Sequence, residues 1–102
     1  MFVVIQEFPP LKEGMDEEFR KWFAWTNDLY SKHRGFISRR LMEPVGRDGP
    51  YVAIIEHETR DTFMEMHDSE DRSNAFAKLR SLLKGGPQPR FYRVIPEFYC
   101  RI

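Results

Sequence analysis

The sequence is short of most features that quickly assign a protein to a class. It has one cysteine, Cys100, so no disulfide can close within the chain, and that usage fits a reducing cytoplasm. It has no excess of charge: sixteen Lys and Arg meet sixteen Asp and Glu. Such a balance gives no broad attraction to nucleic acid or to an anionic lipid surface, and neither partner is expected. No apolar run approaches the roughly 18 residues of a membrane span. The opening MFVVIQEF lacks the basic start and small-residue cleavage site of a signal peptide and reads as a strand. Three histidines, His33, His57 and His67, are too far apart in sequence to form a metal-site signature. There is no phosphate loop, nucleophile elbow or dinucleotide fingerprint.

What is present is the pattern of one packed domain over 1–102, 41% apolar and 15% aromatic. Phe2 to Phe8 is a strand stopped by Pro9-Pro10, and its apolar residues on both faces imply cover on both sides. After Gly14, residues Met15, Phe19, Trp22, Phe23, Thr26, Leu29 and Tyr30 fall on one helical face. Asp16, Glu17 and Glu18 load the first turn, while Lys32, His33 and Arg34 are expected in the last turn before Gly35. Phe36 to Val45 and Tyr51 to Glu58 read as two strands joined by a hairpin around GRDGP. Thr59 and Ser69 are expected to cap two further helices, to about His67 and Lys84. Arg90 to Cys100 reads as a final strand whose Pro96 marks an edge or a bulge.

The order is βαββαβ, with the last helix split in two. It predicts an α+β, ferredoxin-like fold, a four-stranded antiparallel sheet with its helices on one face. The other face also carries apolar residues, and a second copy of the chain is the expected cover.

Gly14 before the first helix, Gly35-Phe36 opening the second strand and Glu58-Thr59-Arg60-x-x-Phe63 leaving the third together resemble the antibiotic biosynthesis monooxygenase family. The resemblance covers about 1–95 and rests on the spacing of the set. It implies a dimeric α+β barrel with a pocket between sheet and helices in each subunit, and a homodimer acting on a small molecule. Such barrels host cofactor-free oxygenases, haem-degrading enzymes and isomerases. The haem-degrading branch uses Asn, Trp and His where this chain has Glu7, Met66 and Phe76, so haem is disfavoured and no cofactor is expected. The quinone-forming branch uses Trp and Asn where this chain has His57 and Ala53.

Strand parity then populates the pocket. Val3, Ile5 and Glu7 share one face of the first strand, and Ala53, Ile55 and His57 share one face of the third. These strands are expected to be central neighbours, which would let Glu7 and His57 meet as a base and its orienting partner, or as a plain ion pair. Arg39 and Arg40 point to opposite faces, so one of them, with Arg39 the candidate, could meet a substrate anion; Met66 and Phe76 complete the expected lining. His33 is expected to cap its helix and His67 to be exposed. The expected activity is a cofactor-free monooxygenase on an aromatic or polyketide-like substrate. The alternatives are an isomerase or binding module on the same barrel, or a haem protein.

Overall fold

The computed structural model describes residues 1–101; the domain expected over 1–102 ends one residue beyond them. The elements are β1 (Phe2–Glu7), α1 (Asp16–Tyr30), β2 (Phe36–Met42), β3 (Val52–His57), α2 (Arg60–His67), α3 (Glu70–Arg80) and β4 (Gln88–Arg93), followed by a 3-10 turn at Pro96–Phe98. The strands form one antiparallel sheet in the order β2-β3-β1-β4, so the expected ferredoxin-like α+β architecture is the one observed. No helix among the described residues is long and apolar enough to cross a membrane.

Local chemistry explains the element ends. Gly14 enters α1 at a positive φ of 75°, a conformation that costs glycine little. Three acidic residues in the first turn of α1 suit its dipole. The helix stops at Tyr30, earlier than the sequence suggests, so Lys32, His33 and Arg34 lie in the following turn rather than in its last turn. There His33 pairs with Asp71 at 2.9 Å and Arg34 with Glu65 at 2.7 Å. His33 thus ties α1 to α3 instead of capping a helix. Thr59 caps α2, accepting from the Thr62 amide at 3.1 Å, and Ser69 caps α3, accepting from the Arg72 amide at 3.2 Å. Helix α3 ends at Arg80; Leu83 instead bridges to Leu11. Pro96 lies beyond β4, which ends at Arg93 as an edge strand.

The core lies between the sheet and the helices. Phe19, Trp22, Phe23 and Tyr30 of α1, Phe63 and Met66 of α2, and Ala75 and Leu79 of α3 close over Val4, Ala53 and Ile55. Burying side chains of this size contributes about 1.5–3 kcal/mol each relative to exposure. Trp22 donates its indole N–H to the Ala75 carbonyl at 2.9 Å, which locks α1 onto α3. On the opposite face, Val3, Ile5, Val52 and Ile54 are half-buried, and Met42 and Tyr92 are exposed at 41% and 47%.

Candidate functional site

The register decides where the expected site residues go. In the β1–β3 ladder Phe2 lies opposite His57 and Glu7 lies opposite Val52. Partners in a ladder share a face, so Phe2, Val4 and Gln6 join Ala53, Ile55 and His57 beneath the helices. Val3, Ile5 and Glu7 point to the open face. Glu7 and His57 are therefore on opposite faces and five residues apart along the ladder, roughly 17 Å. The expected pair does not form. Glu7 instead lies 3.7 Å from Arg90 of β4.

His57 is fully buried. Its Nδ1 is 2.9 Å from the Thr62 hydroxyl, which in turn reaches the Thr59 carbonyl at 3.0 Å. With the hydroxyl proton directed at that carbonyl, His57 donates from Nδ1, and Nε2 is buried without a partner. Phe36 and Phe63 pack edge-to-face on the ring. Burial first, and then the neighbouring His33, push the imidazole below its ordinary pKa, against a weaker opposing pull from Glu58. His57 is a neutral brace between β3 and α2.

A cavity of about 210 Å³ lies between the sheet and all three helices. Four of the expected residues, Arg39, Ile55, Met66 and Phe76, line it. Ala53 is buried on the same face but outside the lining, and Val3 and Ile5 are on the wrong face. The lining also includes Gln6, Tyr30, Phe63, His67, Arg72 and Phe91, none of which strand parity had brought in. Trp22 is core, as its helical position suggests, and reaches the cavity too. Trp25 does neither: it is 39% exposed beneath the Lys78 ammonium.

Arg39 enters from β2. A bulge between Phe36 and Ser38 resets the parity of that strand, so Arg39 shares the inner face with Leu41 while Arg40 is exposed. The Arg39 guanidinium lies 3.9 Å from the Phe23 ring centroid and 4.9 Å from that of Tyr30. Its Nη1 donates to Thr26 Oγ1 at 2.7 Å, to Asn27 Oδ1 at 2.9 Å and to the Phe23 carbonyl at 3.3 Å. Burial pulls its pKa down to about 10, with Tyr30 opposing, so it remains a cation at neutral pH.

His67 closes another wall. It is half-buried rather than exposed, and its ring stacks on Phe63 at 5.8 Å. Burial, reinforced by Arg72 and partly offset by Asp68, lowers its pKa from the ordinary imidazole value, so it is neutral near pH 7. Tyr30 is shifted upward, mainly by burial, against the pull of Arg39 and Arg72. The cavity therefore holds a neutral imidazole that can accept a proton and a guanidinium that can stabilise the resulting anion.

Phe76, at the position where the haem-degrading pattern has its iron-ligating His, does line the cavity. Its ring lies under the guanidiniums of Arg72 and Arg80 and has no lone pair to offer an iron. Glu7 faces away, so Gln6 is the late β1 residue that reaches inward.

No family model matches the sequence, and no curated protein does. Solved structures do resemble the fold. SnoaB, a cofactor-independent oxygenase from Streptomyces nogalater, superposes with a TM-score of 0.80 at 20% identity, over 92% of each chain. Rv0793 from Mycobacterium tuberculosis gives 0.79 at 19% identity, over 92% of this chain and 94% of that one. An antibiotic biosynthesis monooxygenase gives 0.79 at 12% identity, over 94% of this chain and all of that one, 100%. At such identities the likeness is one of backbone arrangement, and it is close over nearly the whole chain: this protein has the α+β fold of the antibiotic biosynthesis monooxygenases.

Proposed function

We propose that the chain belongs to the antibiotic biosynthesis monooxygenase family and is a cofactor-independent monooxygenase of small aromatic or polyketide-like substrates. The carrying observation is the aromatic-walled cavity that pairs the neutral His67 with the cationic Arg39. The fold it shares with a cofactor-independent oxygenase supports the same reading.

In this reading a hydroxyarene or enolisable ring methylene enters between Phe63, Phe76 and Phe91. His67 removes a proton, and Arg39 with Arg72 holds the developing oxyanion. The electron-rich anion supplies the electrons that reduce oxygen. The CH2 carbon becomes C=O, and the second oxygen atom leaves as water, so no external reductant is consumed. Reprotonation at carbon without oxygen would make the same site an isomerase.

The proposal includes a homodimer in which a second copy covers Val3, Ile5, Val52 and Ile54, working in a cytoplasm that keeps the exposed Cys100 reduced. An oxygen electrode tests the activity. Metal-depleted protein with the two-ring hydroxyarene 1-naphthol, or with its ring-methylene keto analogue 1-tetralone, should consume one oxygen per product formed. Isomerised product with no oxygen consumed would select the isomerase, and no turnover of a panel of such compounds would overturn both.

A further inference from the structure

This inference rests on the cavity being the substrate site and concerns what it admits. The chain carries equal numbers of acidic and basic residues, but its cavity does not. The lining holds Arg39, Arg72 and His67 and no Asp or Glu. The carboxylates closest in effect have other roles. Asp71 accepts from His33 at 2.9 Å, and Asp68 acts on His67 from the end of α2.

Arg39 is the sharper anomaly. Its hydrogen bonds all leave from Nη1, and all three acceptors are neutral oxygens. Nε is buried without a partner, and no carboxylate pairs with the guanidinium among the described residues. A half-buried charge whose Nε is shut away from water, held only by neutral dipoles and aromatic faces, gains when a counter-charge arrives. The cavity is where one can arrive.

Its size limits the ligand. About 210 Å³ exceeds the roughly 150 Å³ that accommodates one benzene ring, and falls short of the ~300 Å³ at which pockets for larger organic ligands begin. The flat walls of Phe63, Phe76 and Phe91 suit a planar guest.

We infer that the cavity selects planar aromatic anions of one or two fused rings, carrying a phenolate, enolate or carboxylate whose charged oxygen meets Arg39. Arg39 is the specificity-determining residue. Larger ring systems need the helices to move apart.

Calorimetric titration with 2-naphthoate and its uncharged counterpart 2-naphthamide tests this. Wild type should bind the anion roughly 10- to 100-fold more tightly, the range for a hydrogen bond to a charged group. Arg39→Met should abolish that preference while keeping naphthamide binding, and Arg39→Lys should keep part of it. Equal affinities in wild type, or a preference undiminished in Arg39→Met, would overturn the inference. Should Arg39→Met not fold, the 15Nε resonance of Arg39 in wild type decides: it should shift on adding naphthoate, and an unmoved resonance overturns the inference. The titration involves no oxygen. Anion preference without oxygen uptake would refute the oxygenase reading alone, and oxygen uptake without anion preference would refute this inference alone.

Discussion

Gly35 and Thr62 occupy each other's space. A Cβ built on Gly35 would lie 2.3 Å from the Thr62 hydroxyl oxygen, and Gly35 has a φ of 82°. The contact joins the start of β2 to the first turn of α2, and Thr62 is also the group that holds His57. One glycine thus sets how closely the roof of the cavity approaches the sheet.

Gly35→Ala should therefore be among the most destabilising small substitutions in the chain. Left-handed strain and the steric clash each contribute about 1–3 kcal/mol, for a loss of roughly 2–6 kcal/mol. Urea unfolding measures it. A loss below about 0.5 kcal/mol would place the variant with ordinary surface substitutions and refute the close contact.

His57→Ala should lower stability by about 2–4 kcal/mol, through a lost hydrogen bond and a buried void, while leaving catalysis largely intact. Turnover per folded molecule is the readout. A 100-fold loss of kcat with unchanged stability would restore His57 to the chemistry.

The same residue gives a pH dependence with a definite sign. Its folded pKa is lowered, mainly by burial, so below about 6.5 the unfolded chain binds the proton more readily. The stability is fully present above that pH and is lost as pH falls toward the folded value, at up to about 1.4 kcal/mol per unit. Urea midpoints from pH 5 to 8 should slope accordingly in wild type and less steeply in His57→Asn. Identical slopes would contradict the assignment.

His67→Gln should reduce kcat by about 10²–10⁴-fold, the usual contribution of a general base. In wild type the acid limb of kcat/KM should fall below the ordinary imidazole pKa, as the lowered His67 requires. The variant should lose that limb. A wild-type limb that persists unchanged in His67→Gln would assign the base elsewhere.

Ile5 and Ile54 face each other across β1 and β3 on the open side of the sheet. Ile5→Asp should convert a dimer to a folded monomer in sedimentation velocity. A wild-type monomer would remove the second copy from the account.

The fold was legible because its punctuation is chemical: Pro9-Pro10, Gly14, Gly35, Thr59 and Ser69 mark element ends through φ restriction or capping. The site was half legible. Arg39, Ile55, Met66 and Phe76, expected from strand parity or matched positions, all line the cavity beneath the helices. The Glu7–His57 pairing failed for a reason already present in the chain. Both residues close their strands, and antiparallel neighbours put those closing ends at opposite edges of the sheet. The inner face of β1 was harder to see, since Phe2, Val3, Val4 and Ile5 are apolar on either parity and only the register separates them. His67 was missed because short-helix periodicity says little about the junction with α3, where Phe63 and Arg72 enclose it.

The most direct test of the central claim is a crystal structure of the protein with 2-naphthoate bound. The account predicts the rings between Phe63, Phe76 and Phe91, with the carboxylate about 3 Å from the Arg39 guanidinium. Naphthoate on the open sheet face, or in the groove beside Glu7 and Pro50, with the cavity beneath the helices unoccupied, would contradict it.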